Sequence, residues 1–78
     1  MIKRTERLVI TFHTTTAAMA MEHGCREDGL AGRLIPVPGT ISAGCGLAWC
    51  AEPEHESVLR IFMAHHGIEY QGIYRCLI

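Results

Sequence analysis

No apolar stretch in this chain is long enough to cross a bilayer. The run LVITF, residues 8–12, is typical of its apolar segments, whereas a membrane helix needs about 20 apolar residues. A signal-peptide core needs about 7–15. Lys3, Arg4 and Arg7 come before this run, but His13 and three threonines follow it. The N-terminal segment therefore reads as neither leader nor anchor, and the cytoplasm is the expected compartment. A charge of one sign is missing too. Seven Lys and Arg stand against eight Asp and Glu, a formal net charge of −1. Only Lys3, Arg4 and Arg7 cluster, so no basic stripe exists to follow a phosphate backbone, and nucleic acid is not an expected partner.

The spacings of metal sites are absent as well. Four Cys and five His are ligands enough, yet no C-x2-C or H-x3–5-H pattern occurs. No cofactor is expected. A small metal-binding module stays open as an alternative, including a metal shared between chains through Cys45 and His13. A disulfide frame is not expected in a cytosolic chain, where thiols stay reduced. Cys45 and Cys50 are also badly placed to pair. Five residues of strand span up to about 16 Å, an odd separation turns the side chains to opposite faces, and a disulfide needs Cα atoms within about 7 Å.

With 78 residues the chain makes one domain, 1–78. About half of it is hydrophobic, 49%, so a core can form. A deep pocket is harder to enclose at this size. A carrier, an accessory protein or an oligomer is favoured over a stand-alone enzyme.

Residues 7–13 alternate apolar and polar, with Leu8, Ile10 and Phe12 on one face, and predict a strand. Thr14, Thr15 and Thr16 offer an N-cap to a helix whose inward residues are Ala18, Met21 and Cys25 and whose stop is Gly29. Met19, Met21 and Met63 read as core fillers. Residues 32–37 predict an edge strand, because Pro36 and Pro38 cannot donate to a ladder. A Gly-, Thr- and Ser-rich loop, 39–44, leads to a third strand over 46–51. Pro53 opens a second helix with the stripe Val58, Leu59, Phe62, Met63 and His66, closed by Gly67. Residues 68–78 predict a last strand, with Gly72 at a bulge or bend.

The order β-α-β-β-α-β has a simple compact solution. It is the α+β, ferredoxin-like sandwich, a four-stranded antiparallel sheet with two helices on one face. Right-handed crossovers bring the loop between strands two and three to the end where the first helix begins. Cys45 then lies near His13, Thr14, Thr15 and Thr16. His65, His66 and Glu69 reach that end, and Cys25 and Cys76 fall at the other. The open face, with Val9, Thr11, His13 and part of Leu47–Cys50, is mixed in character and predicts a homodimer or higher assembly.

The segment ISAGCGLAWC carries the chemistry. Cys45 stands between Gly44 and Gly46, after Ser42. Glycines let backbone amides turn inward toward a thiolate or persulfide, and a helix N-terminus favours a negative sulfur. Such a cysteine suits nucleophilic sulfur transfer. The same residues also fit a hairpin turn with an inert Cys45, and His13 fits a satisfied hydrogen-bonding role.

The run GRLIPVPGTISAGCGLAWC, with TFHTTTAAMAME before it and GIEYQGIY after it, resembles a selenium/sulfur-carrier-like family of small bacterial proteins. The resemblance covers nearly the whole chain, and P-x-P-x-x-I-S-A-G-C-G-L-A is its most specific part. It implies a carrier thiol at Cys45, with Ser42, Gly44 and Gly46 as loop support and His13 as a further candidate. Gly39 stands where relatives often carry a basic residue, and Cys50 where they often lack cysteine. The expected function is to relay sulfur or selenium on Cys45, as a persulfide or selenopersulfide, from a cysteine-desulfurase-type donor to an acceptor. A protein-interaction or regulatory module is the alternative.

Overall fold

The computed structural model describes residues 5–39, 41 and 44–78. Strand β1 is Glu6–Thr11, helix α1 Thr15–Asp28, strand β2 Arg33–Pro36 and strand β3 Leu47–Ala51. A 3-10 turn, Pro53–His55, leads into helix α2, Glu56–His66, and strand β4 is Gly72–Leu77. The sheet order is β2-β3-β1-β4, and all three neighbouring pairs are antiparallel. This is the α+β, ferredoxin-like arrangement expected from the order of elements.

Local chemistry sets the ends of the elements. Thr14 caps α1 by accepting the Ala17 amide at 3.1 Å, as a hydroxyl at that position does. Both helices stop at a left-handed glycine, Gly29 at φ 69° and Gly67 at φ 64°. The last strand begins later than its composition suggests. After Gly67 the Ile68 amide turns back to the Met63 carbonyl at 2.9 Å, and the Gln71 amide reaches the Thr11 carbonyl at 2.6 Å. Residues 68–71 are therefore spent on leaving the helix, and the ladder starts at Gly72, opposite Thr11. Gly72 is a regular ladder position rather than a bulge. The end of the Tyr74 side chain lies where a side chain at Gly72 would be, with the hydroxyl 2.8 Å and the ring 2.9 Å from a methyl built there.

The core lies between sheet and helices. Leu8, Ile10 and Phe12 meet Ala18, Met21 and Cys25 of α1 and Leu59, Phe62 and Met63 of α2, with Trp49 and Ala51 from β3. The helix stripe is narrower than its pattern: Val58 and His66 are exposed, as is Met19 on α1. At the edge of the core the Trp49 indole donates to the Ala31 carbonyl at 3.2 Å. Gly32, at φ 122°, lets the chain pass against the ring.

The opposite face of the sheet carries Arg7, Val9 and Thr11 from β1, Ala48 and Cys50 from β3, Arg33 and Ile35 from β2, and Tyr74 and Cys76 from β4, by the cross-strand register. Strand β1 ends at Thr11, so His13 is not part of this face. Val9, Thr11 and Ala48 keep no accessible surface even within one chain. Among the described residues, no helix is long and apolar enough to cross a membrane.

Candidate functional site

The loop that carries Cys45 is held by backbone on both sides. On its C-terminal side Gly46, at φ 76°, accepts the Val37 amide at 3.0 Å. That conformation suits glycine, because a Cβ there is strained. On its N-terminal side Gly44 lies against the end of the first strand. A methyl built on it would stand 3.0 Å from the His13 carbonyl oxygen. The residue after His13 is Thr14, the cap of α1. The loop thus meets the chain just before it enters α1. Ser42 lies outside the described residues.

Gly44 has a second anchor that the sequence did not reveal. Its amide donates to the Gln71 side-chain carbonyl at 3.1 Å, and the Gln71 backbone amide is bound to Thr11. Gln71 therefore latches the cysteine loop to the centre of the sheet. The Gly44 amide is consequently not turned toward sulfur, contrary to the inward-facing amides expected from the glycines. Recognising residues 68–71 as a linker, with one polar side chain facing a glycine loop, was the signal available.

Cys45 is half-buried and packs against the helix-side core. Its thiol donates to the Leu47 carbonyl at 3.5 Å. Sulfur is a weak donor, so the contact holds the side chain lightly. A thiol can make this bond, and a thiolate or persulfide cannot. Losing the proton therefore releases the sulfur from the Leu47 carbonyl.

The remaining thiols differ from it. All four cysteines are free. Cys25 is fully buried, and burial, aided by the Asp28 carboxylate, pushes its thiol up to about 11. Cys50 lies on the open face opposite Val9, whereas Cys45 packs on the helix side, so the two are turned apart. Cys76 is half-buried on β4, opposite Arg7. His13 is exposed and lines a separate cleft of about 280 Å³ with Thr14, Thr16, His66 and Glu69. Cys45 is not in that wall. Among the described residues, no three His, Cys, Asp or Glu side chains gather as metal ligands would.

Fold and loop together define a small α+β domain that offers one half-buried thiol between two glycines, in a loop that touches the chain at His13, just before α1. A family model described as "Putative Se/S carrier protein-like" matches residues 7–75, and the chain belongs to that family. No curated protein and no solved structure matches it.

Proposed function

We propose that this protein carries sulfur or selenium on Cys45 between two protein partners. The Cys45 thiolate attacks the outer sulfur of a donor persulfide, R–S–SH, such as a cysteine desulfurase presents. A new S–S bond forms at Cys45, the donor's S–S bond breaks, and the donor leaves as thiolate and takes up a proton. An acceptor nucleophile then attacks the outer atom, and the Cys45 thiolate is the leaving group. With selenium the outer atom is Se and the bookkeeping is the same. Thiol exchange of this kind needs thiolate and access rather than a deep pocket.

The observation that carries the reading is the holding of Cys45 itself. Among the described residues its thiol bonds to the Leu47 carbonyl, and that bond depends on the S–H proton, so ionisation frees the sulfur from it. The loop around it is fixed at Gly44 and Gly46, which keeps the freed sulfur at one place on the surface. Family membership supports a carrier role, and Cys45, like Cys25 and Cys50, lies inside the matched region.

Transfer from a labelled donor tests the whole relay. The protein is loaded with ³⁵S from a cysteine desulfurase and labelled cysteine, separated, and mixed with a thiol acceptor. Label should move to the acceptor from the unaltered protein and not from Cys45→Ser. Equal delivery by Cys45→Ser would end the proposal.

A further inference from the structure

A groove of about 660 Å³ lies on the open face of the sheet, with Arg7, Arg33, Ile35, Cys50, Glu52 and Ile78 among its lining residues. That volume is within the range of small-ligand sites, roughly 300–1,000 Å³. Its two guanidinium groups are not equivalent. Arg7 is paired with Glu52, so its charge is largely matched. Arg33 is exposed and has no carboxylate partner among the described residues.

Cys50 and Arg33 are cross-strand partners in the β2–β3 ladder, so both side chains rise from the same face and stand side by side. Cys50 is only 8% exposed, and its access to solvent is through this groove. A neutral reagent gains nothing from entering. A small anion gains the attraction of an unmatched guanidinium, whose planar fork holds a carboxylate by two hydrogen bonds.

We propose that this groove is a second thiol site, at which Cys50 forms mixed disulfides with small carboxylate-bearing disulfides held by Arg33. Cys50 gives its proton to solvent, and its sulfur attacks one sulfur of R–S–S–R. The Cys50–S–S–R bond forms, the R–S–S–R bond breaks, and R–S⁻ leaves and takes up a proton. The small disulfide is the oxidant, so the step needs no other. The adduct puts its carboxylates beside Arg33. Cys76 supplies an internal comparison, since its cross-strand partner is Arg7, already matched by Glu52.

The test measures charge selectivity. The full chain is treated with oxidised glutathione, which is anionic, and with cystamine, which is cationic, and adducts are mapped by peptide mass. The site assignment predicts that Cys50 reacts about tenfold faster with the anionic probe. The preference should exceed that at Cys76. It should fall to about one in Arg33→Gln and persist in Arg33→Lys. Arg33 is exposed, so both variants are expected to fold, and circular dichroism checks this. The proposal is overturned if Cys50 takes neither probe, if it shows no anionic preference, or if Arg33→Gln leaves the preference intact. None of these outcomes depends on Cys45, so the relay on the other face stands or falls separately.

Discussion

The side-chain carbonyl of Gln71 accepts the Gly44 amide at 3.1 Å. Twenty-seven residues apart in sequence, the two form a latch between the cysteine loop and the end of β1. Exposed neutral hydrogen bonds contribute about 1 kcal/mol, enough to hold a loop and too little to hold the fold. Gln71→Ala should therefore leave global stability within about 1 kcal/mol of the parent while loosening the loop. Cys45, half-buried when the loop is latched, should then be alkylated by iodoacetamide several-fold faster, about threefold to tenfold. Peptide mapping reads the rate at each thiol. An unchanged Cys45 rate would show that Gln71 does not control access.

Much of this was visible in the sequence. Strand β1, the Thr14 cap, the Gly29 and Gly67 stops and the inward set Ala18, Met21 and Cys25 follow from spacing and local propensity, and the order of elements then implies the sheet. What could not be read is what long-range contacts decide. Residues 68–71 have strand-like composition but are used to leave α2, because Ile68 closes the helix on Met63. Val58 and His66 fit the helical stripe by spacing but lie exposed. The open face looked half-exposed by alternation, yet Val9 and Thr11 are fully buried, since β1 is central and has neighbours on both sides. At the site, the approach of Gly44 in the cysteine loop to His13, just before α1, is what the topology implied. The bond of Cys45 to Leu47 and the Gln71 latch depend on loop geometry that residue types do not specify.

Gly32 tests the packing at the edge of the core. It combines φ 122° with a built methyl that would clash with the Trp49 Nε1 and stand 2.8 Å from the Cys50 carbonyl oxygen. Gly32→Ala should cost about 2–4 kcal/mol, from backbone strain and overpacking together. Urea unfolding followed by Trp49 fluorescence measures it. A loss below about 0.5 kcal/mol would mean that the turn relaxes freely.

Glu56 sits at the centre of an ion network. Arg60 binds it at 2.8 Å and Arg75 at 3.0 Å, and Arg75 also reaches Glu6 at 3.4 Å. Hydrogen bonds from Arg60 first, and then Arg75, hold its carboxyl below the usual carboxylate value. A depressed carboxylate contributes stability above its unfolded pKa and loses it as pH falls through its folded pKa. Thermal stability should therefore decline on acidification below the ordinary Glu range, less steeply in Glu56→Gln. Salt should shrink the difference, because the network is exposed. Parallel curves for the two proteins would contradict this.

Cys25 predicts the opposite limb. Its thiol is pushed up to about 11 by burial first and Asp28 second. The unfolded chain ionises this thiol before the folded chain does. Its contribution is therefore complete below the unfolded value and is lost as pH rises toward 11. The loss should reach about 2–3 kcal/mol at most. In Cys25→Ala, less stable at neutral pH through the missing sulfur, this part of the alkaline slope should vanish. Denaturant unfolding across pH 8 to 11 reads both slopes, and equal slopes would remove Cys25 as their source.

The central claim is that Cys45 is the thiol that receives the transferred atom. Intact mass after incubation with a cysteine desulfurase and cysteine tests it most directly, followed by mapping of the modified peptide. The account predicts one added sulfur on Cys45, removed by reductant, absent in Cys45→Ser and present in Cys50→Ser. Sulfur that loads equally well onto Cys45→Ser, or maps to another cysteine of the unaltered protein, would contradict it.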